Sequence, residues 1–144
     1  MTTSPRKPKF ISKPITFSLE ISTRKLSEFW TGLENGKVYA SKCRKCGSLS
    51  FPPVADCSTC LSSEPEWMEI EGEGEIETFT HIMIRPKNFA ESPPYTVAVA
   101  KMKEGVKILA WVTNPEYSKL KTGAKVRLVT EKSETGATYA FTLH

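Results

Sequence analysis

Histidine is nearly missing from this chain of 144 residues: only His81 and His144 occur. That scarcity removes most routes to histidine-based proton transfer, and no spacing of serine, histidine and carboxylate suggests a triad. His81 falls within a strand, where a packed or half-exposed ring is the ordinary reading. No glycine-rich loop makes a convincing phosphate cradle; Gly72-x-Gly74 is half of a nucleotide fingerprint, but turns leading into β-barrels need such glycines too. Long apolar runs are also missing, and none approaches the roughly 18 residues a membrane helix needs. The opening residues, Met1 to Lys9, are polar and lack the apolar segment of a signal peptide, so a cytoplasmic location is expected. Cations are absent from residues 46–84, which hold one Asp and seven Glu. They are concentrated instead on either side: ten Lys/Arg against three Glu in residues 1–45, and ten against five in residues 85–144. A protein that tracks a phosphate backbone normally carries one sign along a whole face, so this bipolar pattern argues against general nucleic-acid binding.

Cysteine is scarce but patterned. The only four form two corners, Cys43-Arg44-Lys45-Cys46 and Cys57-Ser58-Thr59-Cys60, with ten residues between them. Such corners can close a tetrahedron of thiolates around one zinc ion, with Zn–S near ~2.3 Å. Iron accepts the same ligand set. Two disulfides are the bland alternative, disfavoured in a cytoplasmic setting. No cysteine is left over as a nucleophile. Four thiolates outweigh Zn²⁺ by two negative charges, and Lys42, Arg44 and Lys45 suit that need, although solvated surface cations would look the same. Structural zinc contributes about 10–16 kcal/mol in small peptides, comparable to the stability of a whole domain. Its role here is expected to be architectural.

The segments around the cysteines read as a small mixed module. Residues 1–14 are rich in proline and cations, an arm by composition. Ile15 to Ile21 alternates apolar and polar residues, as an extended segment does. Ser22 or Thr23 suits a helix cap, Leu26, Phe29, Trp30 and Leu33 recur at helical spacing, and Asn35-Gly36 supplies a left-handed stop. Packing within its own domain is the ordinary reading of that aromatic stripe; a partner protein or an acyl ligand is the functional one. Val38–Lys42 and Leu49–Phe51 read as short strands around the first corner.

Beyond residue 66 the texture becomes strands and turns. Trp67–Ile70 leads through Glu71-Gly72-Glu73-Gly74 into a long strand over 75–84. A proline-rich loop over 85–94 follows, then strands over 95–102, 106–113, 125–131 and 138–143. Asn114–Leu120 reads as one helical turn, with Asn114 as cap and Pro115 in first position. Five strands with that insertion match a small Greek-key barrel of the OB type, although strand count alone permits a sandwich. Parity puts Ile76, Ile82 and Ile84 on one face of the first barrel strand and Phe79, His81 and Met83 on the other. The outer Phe79, Met83, Leu109 and Trp111 then need a cover: the helix, the cysteine module, a ligand or a partner.

Taken in order, the aromatic helix (Phe29-Trp30-x-x-Leu33), Cys-x-x-Cys-Gly, Phe51-Pro52-Pro53, the second Cys-x-x-Cys and Trp67 with its Gly-rich lead-in resemble one known family. It is the domain-of-unknown-function family numbered 35, and the resemblance spans roughly residues 22–143. It implies a mainly β chain in three parts: an N-terminal arm and helix (1–36), a rubredoxin-like zinc ribbon (37–66) and a C-terminal five-stranded OB-fold barrel (67–144). It carries Cys43, Cys46, Cys57 and Cys60 over as zinc ligands and supplies no catalytic motif. Leu61-Ser62 stands where the family commonly has glycine after the second corner, and Ile15–Ile21 looks like an addition. Family members are non-catalytic companions of thiolases, hydroxymethylglutaryl-CoA synthases and related enzymes, and archaeal members are thought to bridge the two and share a CoA site.

Two functions are therefore weighed. The first is a scaffold subunit beside a thiolase or hydroxymethylglutaryl-CoA synthase type enzyme. Arg85, Lys87 and Phe89 on the long loop, with Tyr95, would contact acyl-CoA, while Phe29 and Trp30 would meet the partner. The second is a single-stranded nucleic-acid binder in which Trp111, Tyr139 and Phe141 stack on bases. With no nucleophile, base and oxyanion donor in evident arrangement, independent catalysis is not expected.

Overall fold

The computed structural model describes residues 24–63, 65–89, 91–133 and 136–144. The extended reading of Ile15–Ile21 and the Ser22/Thr23 cap lie outside them. A 3₁₀ turn (Arg24–Leu26) leads into helix α1 (Ser27–Glu34), which ends where Gly36 takes φ +79°. Phe29 and Leu33, four apart, share the buried face of α1. Gly32 lies there too, because a Cβ at that position would come within 2.6 Å of the Tyr39 ring. That missing side chain lets the helix approach the first strand.

Strands β1 (Val38–Cys43), β2 (Leu49–Ser50) and β3 (Pro65–Ile70) form an antiparallel sheet in the order β2-β1-β3. Trp67–Ile70, read from sequence as the approach to the barrel, is thus also the third strand of the cysteine module, pairing Val38 with Ile70 and Ser41 with Trp67. The remaining strands are β4 (Glu73–Ile82), β5 (Tyr95–Met102), β6 (Lys107–Val112), β7 (Lys125–Ser133) and β8 (Gly136–Leu143). They close into a barrel in the order β4-β5-β6-β8-β7. β6 and β8 run parallel, while β4 meets β7 through Glu73–Glu75. This closed five-strand barrel agrees with the OB-type expectation and excludes the sandwich that strand count alone permitted. Among the described residues no helix is long and apolar enough to cross a membrane.

Gly72 and Gly74 serve this closure rather than a nucleotide. A Cβ on Gly72 would meet the Leu128 carbonyl at 2.8 Å, and one on Gly74 the Met102 sulfur at 2.7 Å. The interior is built from alternate residues such as Ile76, Ala98, Ala100, Ile108, Val126 and Phe141, which join Phe29, Leu33, Val38, Ala40 and Ile70 in one continuous core.

Two sequence expectations fail on local geometry. A bulge between Ile76 and Thr78 shifts the register of β4, so Phe79 stands opposite Ala98 and His81 opposite Thr96. Directly paired residues share a face, so Phe79 and His81 lie on the side of Ala98 and Thr96 instead of the opposite one, although Phe79 stays 36% exposed. Ile84 is exposed in the following loop rather than sharing the face of Ile76. The segment after β6 is a pair of turns and not a helical turn: Asn114 adopts φ +45°, which cannot open a helix, and the bonds Lys119 N–H to Glu116 O and Leu120 N–H to Tyr117 O span three residues.

The charge segregation along the chain resolves across strands. Glu73 pairs with Lys103 and Arg127, Glu75 with Lys125 at 2.6 Å, and Glu77 with Lys107 at 2.8 Å. The acidic β4 is flanked by basic neighbours, an arrangement of exposed pairs that guides register more than it adds stability.

Candidate functional site

The four cysteine sulfurs all lie within 4.8 Å of one another. Cys43 Sγ is 3.4 Å from Cys60 Sγ, and Cys46 Sγ is 3.6 Å from Cys57 Sγ. Those separations are far beyond a sulfur–sulfur bond of about 2.05 Å, which removes the disulfide reading. They lie just under the roughly 3.8 Å edge of a tetrahedron whose bonds are ~2.3 Å, so the cluster fits one four-coordinate metal ion. Backbone geometry makes the corners. Gly47 N–H donates to Cys43 O at 2.8 Å, and Leu61 N–H donates to Cys57 O at 2.9 Å. Gly47 takes φ +72° and Leu61 takes φ +58°, so the leucine accepts the left-handed conformation that glycine provides at the first corner. Its side chain is 82% exposed, so the cost of that conformation is confined to its own Cβ and backbone.

Amides aimed at sulfur favour thiolate. Backbone N–H groups of Cys60 and Thr59 bring the Cys57 thiol down to about 6, and the Cys46 amide lowers Cys43. At Cys46 the Ser48 amide lowers the pKa, but the neighbouring sulfurs of Cys43, Cys57 and Cys60, with burial, push it up to about 12. A cation at the centre is what would let all four ionise together. Between the corners, Ser41 is buried on β1 and its Oγ accepts the Val54 N–H at 2.9 Å. That bond anchors the intervening loop to the sheet.

The residues expected to meet a partner separate. Phe29 is only 5% exposed and stacks edge-on with Phe51 and Tyr139, at ring centroids 6.1 and 6.5 Å away. It is a core residue, which corrects its reading as a contact surface. Trp30 is 48% exposed and borders an apolar groove of about 260 Å³ between α1, Pro52–Pro53 and β8.

Of the four residues expected to touch CoA, two converge. Phe89 lies 5.8 Å from Tyr95 and 6.2 Å from Trp111, while Tyr95 stacks flat on Trp111 at 4.5 Å with 7° between planes. Register explains the stack: Trp111 stands opposite Val97, and Tyr95 is its diagonal neighbour on the outer face. Arg85 is half-buried and Lys87 exposed on the preceding loop. Trp111 is 47% exposed and Leu109 62%, so α1 and the ribbon leave this side of the barrel open. The base-stacking trio of the nucleic-acid reading does not form, because Phe141 is fully buried and Tyr139 packs on Phe29 and Phe51.

Comparison with known proteins agrees with this architecture. Residues 30–66 match the rubredoxin-like zinc ribbon domain of ChsH2, and residues 67–131 match its C-terminal OB-fold domain. A DUF35 domain-containing scaffold protein of Pyrococcus furiosus is 32% identical over 108 residues, covering 74% of this chain and 79% of that protein. The chain belongs to the DUF35 family. A solved Ltp2-ChsH2(DUF35) aldolase shares the fold of this DUF35 chain, with TM-score 0.71, 19% identity, and coverage of 89% of this chain and 98% of the other. The benzoylsuccinyl-CoA thiolase subunit BbsA of Thauera aromatica is 28% identical over 69 residues, which is 48% of this chain and 46% of BbsA.

Two participants at the open side escape sequence reasoning. Tyr117 and Glu131 line a cleft with Tyr95 and Trp111, yet they come from a turn and a strand far apart in the chain. No periodicity links them; the barrel closure through β6 and β8 brings them together.

Proposed function

We propose that this DUF35 protein is a non-catalytic scaffold subunit that binds a condensing enzyme of the thiolase or hydroxymethylglutaryl-CoA synthase type and contributes contacts to its acyl-CoA. The observation that carries this reading is the open aromatic ledge of Phe89, Tyr95 and Trp111 beside a loop bearing Arg85 and Lys87. An exposed ledge of aromatic and aliphatic groups is a surface for association. An adenine ring suits a flat aromatic face, and the loop cations suit CoA phosphates. Relatives named as a scaffold protein and as a thiolase subunit support the same assignment. The four thiolates would hold zinc, whose chemistry here is to cross-link the two corners. Among the described residues, no cysteine outside that cluster and no second histidine near His81 offers a nucleophile–base pair.

The test is reconstitution with the condensing enzyme of the native host. The pair should co-elute on size exclusion, and the enzyme should retain CoA ester better or turn over faster than it does alone. Lys87→Glu should weaken ester retention without unfolding the chain. Separate elution with unchanged kinetics would reject the proposal.

A further inference from the structure

The cleft beside the ledge has a chemistry of its own. It has a volume of about 560 Å³, and its lining includes the stacked Tyr95 and Trp111, Tyr117, Glu131, Thr113 and Asn114. Phe89 does not line it, while Tyr95 and Trp111 belong both to the cleft and to the ledge. Tyr117 is held edge-on against His81 at 4.8 Å, and His81 is in turn hydrogen-bonded through Nδ1 to Thr96 Oγ1 at 2.9 Å. One part of the lining is thus fixed by stacking and another by a bonded pair.

Glu131 sets the electrostatics. Its carboxylate is partly buried, and Thr113 Oγ1 donates to Oε1 at 2.6 Å, which orients it. Among the described residues no cation pairs with it, whereas Glu73, Glu75, Glu77 and Glu116 all hold lysines. Lys132, next along β7, is exposed one residue away, where strand alternation turns it to the opposite face. A carboxylate framed by aromatic faces attracts cations twice, by charge and by ring quadrupole. It repels phosphate, so CoA itself is a poor occupant.

We infer that this cleft receives a cationic side chain, an arginine or lysine, projected by the partner protein, with its guanidinium or ammonium on Glu131 and its stem between Trp111 and Tyr117. A planar guanidinium suits the slot best, because it stacks on a ring while bonding a carboxylate in its own plane. The inference specifies partner chemistry but stands or falls on the cleft alone, whether or not the enzyme is a thiolase.

The probe is N-acetylarginine amide, titrated into the full chain while the Trp111 indole N–H is followed by NMR. Saturable shifts are expected, with N-acetylcitrulline amide, neutral but nearly isosteric, binding about tenfold or more weakly. Glu131→Gln should lower arginine affinity by a similar factor and remove the preference over citrulline. Tyr117→Ser, an exposed change, should weaken both probes. Equal binding of arginine and citrulline, no saturable shift, or adenosine binding more tightly than arginine and indifferent to Glu131→Gln would overturn the assignment. Stronger arginine binding in a variant with Arg6, Lys7 and Lys9 changed to alanine would make the chain's own basic arm the occupant, which also overturns it.

Discussion

At the scale of single residues, the cysteines and the backbone that turns around them explain the ribbon. Cys60→Ser should loosen residues 40–62 while the barrel stays folded, because the barrel core includes none of the sulfurs. Amide exchange after chelation is the check: protection should fall around the two corners and persist in β4–β8. Leu61 offers a finer test. A left-handed conformation costs a non-glycine residue roughly 1–2 kcal/mol, partly offset in a Leu61→Gly variant by the freedom glycine has when unfolded. Leu61→Gly should therefore match or slightly raise chelator resistance, and Leu61→Val, β-branched at positive φ, should lower it. The cysteine spacing made the site legible without coordinates, and the glycine after the first corner showed how one half turns. The second half was legible only as a departure, since nothing in Leu61-Ser62 says that a leucine will take glycine's conformation.

Among the elements, strand identities followed from alternation and turn residues, and Tyr95–Met102 coincides with its sequence reading. The failures are local. A bulge adds one residue to β4 and reverses the parity of all that follows, and no single residue announces it. Residues 114–120 combine a good cap with proline in first position, yet Asn114 turns left-handed and the helix does not start. Close approach between elements depends on glycines at three positions, 32, 72 and 74, and two of them give clean tests. Gly32→Ala would press a methyl into the Tyr39 ring, and Gly74→Ala would press one between the Met102 sulfur and the Lys101 carbonyl. Each should destabilise by about 1–3 kcal/mol, with Gly74 the costlier since backbone yields less than a ring; urea denaturation measures both. The cross-strand lysines give a pH signature. A hydrogen bond and then the charge of Lys103 hold Glu73 below its ordinary 4.5, and Lys125 does the same for Glu75. Groups with lowered folded pKa stabilise fully above the unfolded value and lose that contribution as pH falls through the folded one. Stability should thus decline below pH 4.5, and less so in Lys125→Met, as melting temperature against pH would record.

For the whole molecule, the junction of three parts is aromatic. Phe29 from the helix, Phe51 from the ribbon and Tyr139 from β8 meet edge-to-face, with Phe51 and Tyr139 at 5.2 Å. Burial raises the Tyr139 phenol, as expected of a ring drawn into that junction. The helix therefore packs across β7 and β8, and the Leu109–Trp111 side of the barrel stays exposed. Sequence parity indicated that outer apolar residues needed a cover; which residues remain open could be learned only from where the helix went.

The most direct test of the scaffold account is affinity purification of the tagged chain from its native cells, followed by mass spectrometry, with Trp111→Ala alongside. The account predicts stoichiometric recovery of a condensing enzyme with the unaltered chain and its loss with the variant. Recovery of no enzyme, or of the same enzyme equally with both, would contradict it.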